Sequence, residues 1–294
     1  MSFSPSECSE KPSNDQLRRI FCSDETAELN VESRSRLWEK RYRRPLDLVQ
    51  ARPHRTLAVS LTGSECALKC AHCEGRYLKG MADARALTPA QLLGKASILI
   101  SGGSDSFGAV PIKGNQEMIL ELSDQYPLNI HVGWQDPGNL DFLKGRRVTV
   151  SLDLIGSKQA VEKVFGLKIR PLDYFELFLR LKEHFTVIPH LTVGLDGGGD
   201  SGEESVIDFL AQHSPDALTF LVFRPTPKTL MAGLKPPSIE RLVNLIDQAC
   251  DRMHCPLHLG CMRPTGYYRR RLDPLAWLAG ARTIVMPDKG LVEN

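Results

Sequence analysis

The sequence has no uninterrupted apolar run near 18 residues, which excludes a hydrophobic membrane-spanning helix. It has almost no net charge: 37 Lys and Arg against 35 Asp and Glu leave +2 at pH 7, too little to argue for nucleic acid as a partner. The stretch Met1 to Asn14 is rich in Ser, Glu and Pro but has no apolar h-region, so no secretory signal is expected and a cytoplasmic location is. Internal repeats are absent, and so is any second CxxC knuckle of the kind a zinc ribbon needs.

What is present is an ordinary globular composition, 42% hydrophobic and 24% charged, on 294 residues. That length leaves one or two domains open and suits a (β/α) barrel. Residues 1–23 read as a disordered tail with little to bury. Residues 24–55 read as an N-terminal helical extension, with Trp38, Tyr42 and Leu46 four apart, a basic run from Arg34 to Arg44 and a break at Pro45.

From residue 56 onward, eight strand-like runs alternate with helical ones. The strand candidates are Thr56 to Thr62, Ser97 to Ser101, Asn129 to Trp134 and Arg147 to Leu154, then Thr186 to Leu195, Ala217 to Phe223, Leu257 to Met262 and Thr283 to Met286. Helical stretches begin near Thr88, Asn115, Pro137, Pro171, Glu203, Ser238 and Asp273. The Ser238 helix has the clearest period, Ile239, Leu242, Val243, Ile246, Ala249, Cys250 and Met253 following a Ser N-cap. Alternation of this kind predicts parallel βαβ units and an α/β fold, a (β/α)8 or nearly complete TIM-type barrel over 56–294. In such a fold, chemistry sits in the loops that follow the strands.

Eight cysteines without an export signal point to metal or redox chemistry more than to disulfides. Cys66, Cys70 and Cys73 stand at CxxxCxxC spacing directly after the first strand. Three thiolates can hold three irons of a cubane and leave the fourth open to a ligand. The spacing resembles the radical SAM superfamily motif. The resemblance implies a 4Fe-4S cluster whose open iron is chelated by S-adenosylmethionine, with one electron splitting the sulfonium to a 5′-deoxyadenosyl radical. The residue before the third cysteine, commonly aromatic in that superfamily, is His72, an imidazole that can still stack on adenine.

Further strings fit the same likeness. Ser101, Gly102 and Gly103 resemble the segment that holds the methionyl amino group, with Ser104 and Asp105 where the superfamily has Glu. Asp153, at a strand end, is placed to accept hydrogen bonds from ribose or, alternatively, to cap the next segment. His190 and Gly194 fall in the counterpart of the adenine-binding fifth strand, His190 being equally open to a core role.

Taken together, the strings between Leu57 and Pro287 resemble the group near biotin synthase that includes the two-protein lipoyl synthases. That likeness implies sulfur insertion into an octanoyl chain on a lipoyl domain or glycine-cleavage H protein. It also implies a homologous radical SAM partner and a ferredoxin- or flavodoxin-type electron donor. Sulfur would come from an auxiliary iron-sulfur cluster, for which Cys261, Cys22 and Cys255 are candidate ligands. Cys250 lies on an apolar helix stripe and reads as core, and Cys8 falls in the tail. Arg263 is a candidate for binding an anion or approaching a cluster. Arg34 to Arg44 and Arg269 to Arg271 are either carrier-steering patches or solvated helix faces. A radical SAM modifier of tRNA, a cofactor-maturation enzyme and a non-enzymatic iron-sulfur protein remain the alternative readings.

Overall fold

The computed structural model describes residues 9–10, 29–43, 48–51 and 54–291. Cys8, Cys22, Arg44 and Pro45 lie outside the described residues. Among those described, no helix is long and apolar enough to cross a membrane. The chain divides into two compact units, the first built from 54–190 and 225–233, the second from 191–224, 234 onward and the N-terminal part.

The first unit carries β1 (Thr56–Ser60), β2 (Ser97–Ser101), β3 (Leu128–His131), β4 (Val148–Asp153) and the start of β5 (Thr186–Val193). These strands pair in parallel and in chain order, as single-wound βαβ units do. Val59, Ile98, Ile100, Ile130 and Val150 have no exposed surface. Each such burial contributes roughly 1.5–3 kcal/mol. Helix α2 (Gln116–Gln125) buries Ile119 and Leu122, and α3 (Pro171–Lys182) buries Tyr174, Leu177, Phe178 and Leu181. The start of α3 follows from its sequence. Pro171 occupies the first turn, where its missing N–H is no loss, and Asp173 accepts from the Arg170 N–H at 2.9 Å.

The second unit carries the end of β5, β6 (Leu218–Val222), β7 (Leu257–Leu259) and β8 (Ala281–Val285). All eight expected strands are therefore present. Helices α1 (Val31–Arg43), α4 (Glu203–His213), α5 (Ile239–Arg252) and α6 (Tyr267–Ala279) belong to it. In α5 the Ser238 hydroxyl accepts from the Arg241 N–H at 3.2 Å, and the periodic apolar residues are buried as expected.

Three expectations are corrected. The helical extension expected over 24–55 is not helical throughout, because Leu48–Ala51 is a strand paired in parallel with β8, Val49 opposite Thr283. Ladder pairing there overrides a local helical pattern. Within the expected tail, Ser9–Glu10 pairs antiparallel with Val49 and Leu48. Helix α6 starts at Tyr267, six residues before the expected Asp273, after Gly266 at φ +65°. A further helical stretch, Lys158–Ala160 continuing as a π turn over Val161–Phe165, has no counterpart among the expected elements.

The basic run is largely committed inside the second unit. Arg36 lies 3.2 Å from Asp247, and Lys40 lies 2.5 and 2.6 Å from Asp247 and Asp251. Arg41 is 2% exposed and donates to the carbonyls of Leu278 (2.5 Å) and Ala279 (3.3 Å). Arg41 thus faces the interior, whereas the Arg36 side chain stays 55% exposed.

Candidate active site

The loop after β1 carries Cys66, Cys70 and Cys73, and its course is set by short polar bonds. Ser60 Oγ donates to Gly63 O at 2.6 Å; Thr62 Oγ1 donates to Glu65 O and accepts from the Gly103 N–H, both at 2.7 Å. Ala67 N–H reaches Ser104 O at 2.9 Å, and Ala71 N–H reaches Val164 O at 2.7 Å. The N–H groups of Cys73 and Glu74 both point at Cys70 O, at 3.0 and 2.8 Å. That turn brings the Cys70 and Cys73 thiols into hydrogen-bonding contact.

Cys70 is buried, while Cys66 and Cys73 are partly reached by solvent. The Cys70 thiol beside it, the His72 ring and the Gly75 N–H pull the Cys73 thiol down to about 4, against the effect of burial. Cys70 is pushed the other way, by its hydrogen bond to Cys73, by burial, and by the charges of Cys73 and Cys66. The three sulfurs thus lie close enough to act on one another, and the surroundings of Cys73 favour its thiolate, the form that binds metal. Among the described residues no three His, Cys, Asp or Glu side chains converge on a single metal ion. A cubane does not require that, since each cysteine takes a different iron.

Gly102 and Gly103 lie directly beyond β2, with the Ser101 carbonyl held by the Leu61 N–H at 2.8 Å. A Cβ on Gly103 would fall 1.9 Å from Glu65 O and 2.6 Å from Cys66 Cα, so the cysteine loop itself needs the close approach this glycine permits. Gly103→Ala is expected to cost about 1–3 kcal/mol by overpacking and to lose most cluster binding. Iron per chain after anaerobic reconstitution, read beside thermal unfolding, checks this; iron uptake equal to wild type rejects it.

Polar groups on one face of β3, β4 and β5 lie in the same unit. Ser151 Oγ donates to Asn129 Oδ1 at 2.7 Å, Asp153 pairs in register with His190, and the His131 and His190 rings are 4.7 Å apart. Asp153 is reached by solvent yet surrounded by protein atoms. Desolvation raises its carboxyl pKa, with His131 and His72 opposing. Desolvation lowers the His131 pKa, so the ring is held neutral. Buried Tyr174 is raised, by desolvation first and by Asp153 second. His72 packs edge-on against Phe165 with ring centroids 5.7 Å apart, and its buried Nδ1 has no hydrogen-bond partner among the described residues. Acidic thiol, unpartnered imidazole nitrogen and glycine cradle together fit a 4Fe-4S cluster with S-adenosylmethionine bound to it.

Sequence reasoning missed His131. The signal was available: with a period of two, His131 shares a face with Asn129 and stands opposite Ser151. It also missed a groove of about 460 Å³ lined by Phe107, Trp134, Glu176 and Arg180, because these come from three separate stretches of the first unit.

The remaining expected residues lie in the second unit. Gly194, at φ +74°, donates its N–H to Glu203 at 2.7 Å, and a Cβ there would meet Pro237 at 2.8 Å. Fully buried Glu203 also accepts from Ser201 Oγ (2.7 Å) and pairs with Arg241 (2.7 Å), so this loop is internally locked. Cys261 is exposed. Cys255 is half-buried, its thiol pushed up to about 11 by desolvation and by the charges of Asp216 and Cys250. Cys250 accepts from Arg41 at 3.4 Å. Arg263 is corrected: it is fully buried, paired with Asp273 through two 2.8 Å bonds, and donates to Gly260, Val285 and Met286 carbonyls. Nothing of its fork is left for an anion or a cluster.

By sequence, no protein-family model and no curated protein matches the chain. Among solved structures, methylornithine synthase (PylB) superposes with a TM-score of 0.59 at 13% identity, over 94% of this chain and 82% of that one. SuiB from Streptococcus suis superposes at 0.54 with 15% identity, over 82% of this chain and 56% of SuiB. SuiB bound to S-adenosylmethionine gives 0.54 at 14% identity, over 82% and 57%. The chain has the fold of methylornithine synthase and SuiB. The α/β, TIM-type architecture expected from the strand and helix alternation is the one found. The chain spans a little over half the length of SuiB.

Proposed function

We propose that this protein is a radical SAM enzyme whose cluster is held by Cys66, Cys70 and Cys73. The observation that carries the reading is the loop directly after β1, where the turn at Cys70 gathers Cys70 and Cys73 and Gly103 lets Cys66 sit against the end of β2. When bound, the cluster and S-adenosylmethionine supply a 5′-deoxyadenosyl radical that can take hydrogen from an unactivated C–H bond. The chain's own contribution is positioning. Gly103 lets the loop sit against β2, Asp153 offers a carboxylate to ribose hydroxyls, and His72 offers a ring face and an unpartnered nitrogen to the adenine.

Within that class we propose sulfur insertion into an octanoyl chain carried on a lipoyl domain or H protein, with a homologous partner for the second sulfur. The reading rests on the ordered strings between Leu57 and Pro287 that resemble the lipoyl and biotin synthase group. An auxiliary cluster would draw on Cys261, Cys255 and Cys22. Tethering to a folded carrier supplies the positioning that a free acyl chain lacks. Incubation with S-adenosylmethionine, dithionite and octanoylated carrier is expected to add one sulfur, read by mass spectrometry. An inert carrier beside a tRNA that gains mass would reject the acyl reading and keep the radical chemistry.

A further inference from the structure

The groove of about 460 Å³ in the first unit is lined by no residue of the cysteine loop. Three stretches build it: the loop after β2, the turn after β3, and one face of α3. The first of these is tightly shaped. Asp105 Oδ1 accepts from the Phe107 and Ala109 N–H groups at 2.9 and 3.0 Å, and the Trp134 N–H reaches Gly108 O at 2.8 Å. Gly108 stands at φ +96°, and a Cβ there would fall 2.9 Å from Leu167 and 3.3 Å from Trp134, so the loop closes on glycine. Held this way, Phe107 is 76% exposed, and Trp134 packs on buried Tyr174 with ring centroids 5.2 Å apart. Two aromatic rings therefore line one groove.

The rest of the lining supplies charge. Asp136, Asp173, Glu176 and Arg180 all face the groove. Asp173 is committed: Arg170 holds its Oδ1 at 2.5 and 3.0 Å, and its Oδ2 accepts the Arg170 N–H at 2.9 Å. Arg180 lies 3.8 Å from Asp136, whose Oδ1 also accepts the Gly138 N–H at 2.8 Å. Glu176 is left over. Glu at i with Arg at i+4 is the favourable order on a helix, yet the Glu176 carboxylate has no ion pair or hydrogen bond among the described residues. Three carboxylates against one guanidinium leave the lining negative.

Aromatic rings beside an unpaired carboxylate suit a cation on an apolar stem, because the stem covers the rings while the charge meets both the ring faces and the carboxylate. Phe107, Asp136, Glu176 and Arg180 are all exposed, so the groove is open and does not wrap the roughly 70–90% of a ligand's surface that small-molecule clefts bury. An extended chain makes up that deficit with contacts on either side. We propose that this groove binds a polypeptide segment through an arginine side chain, with the guanidinium on Glu176 and the stem against Phe107 and Trp134. Arginine fits better than lysine here, because its planar group stacks on aromatic faces and pairs with a carboxylate at once. The site goes beyond the radical SAM reading and does not rest on it.

The test uses the full chain and an acetylated, amidated pentapeptide with one central arginine flanked by alanine and glycine, with binding measured by calorimetry. Its citrulline counterpart keeps the shape and loses the charge, and is expected to bind about tenfold more weakly. Glu176→Gln should weaken the arginine peptide about fivefold and flatten its salt dependence. Phe107→Ala should weaken it about threefold with an unlowered melting temperature, since the ring is mostly in solvent. Glu117→Gln, an exposed carboxylate on α2 outside the groove, should bind as wild type does. No binding by wild type, equal affinity for the citrulline peptide, wild-type affinity in both Glu176→Gln and Phe107→Ala, or an equal loss in Glu117→Gln overturns the proposal. Acetyl-arginine amide binding as tightly as the peptide overturns the polypeptide as its source. The assay needs neither cluster nor S-adenosylmethionine, so a chain that binds the peptide but cleaves no S-adenosylmethionine rejects the radical SAM reading alone. A chain that cleaves it but binds no peptide rejects the groove alone.

Discussion

Cys70→Ala is expected to give a folded protein that forms no 5′-deoxyadenosine above background when supplied with S-adenosylmethionine and dithionite. Cys70 is only 8% exposed, yet removing one buried sulfur costs the fold about 1 kcal/mol, within the ordinary range of core substitutions. Removing one of three ligands leaves a cluster that cannot be both held and open at one iron. Cys66→Ala and Cys73→Ala should behave alike, because the three thiols act as a set. Cys250→Ala should not, since Cys250 packs against Arg41 and Gly280. The measurement is anaerobic product formation beside iron content and circular dichroism. Cleavage retained in Cys70→Ala, or absent in the reconstituted wild type, would sink the radical SAM reading.

The second large effect concerns stability. Arg263→Ala is expected to destabilise the protein by about 3–5 kcal/mol, because it leaves the Asp273 carboxylate buried without a partner. It also strips hydrogen bonds from the carbonyls of Gly260, Val285 and Met286. Burial already raises the Asp273 pKa, with the Arg263 bonds opposing, so without Arg263 the carboxyl is driven toward its neutral form. Arg263→Lys should recover little, since an ammonium cannot make two parallel bonds to one carboxylate and reach three carbonyls. Urea unfolding gives the number. A loss under 1 kcal/mol, with catalysis alone impaired, would return Arg263 to a role at an anion or cluster.

The elements most legible in the sequence were those whose pattern is local. Ser238 followed by apolar residues at i, i+3 and i+4 specifies α5 without help from the rest of the chain. The run at Val148 is β-rich and continuous because both faces of that parallel strand are buried, while along the run at Ser97 burial alternates. The errors fell where a distant partner decided. Leu48–Ala51 becomes a strand only because β8 offers it a ladder, and Asp273 lies inside α6 because Arg263, ten residues earlier, draws it into the core. Arg36, Lys40 and Arg41 read as a basic face until Asp247, Asp251 and two carbonyls of α6 claim them.

The sequence by itself determined where the thiols stand: CxxxCxxC spacing directly after a strand is a covalent fact, and the proposed cluster rests on it. It likewise determined the alternation of strand and helix, which is written in local periodicity. The tertiary structure decided which polar groups keep free valence. Arg263, Arg41 and Glu203 spend theirs on the interior, whereas among the described residues His72 keeps an unpartnered nitrogen and Glu176 an unpaired carboxylate. The reason is that a side chain's function depends on the groups left over after packing has satisfied the rest, and those groups are brought together by contacts between residues far apart in the chain.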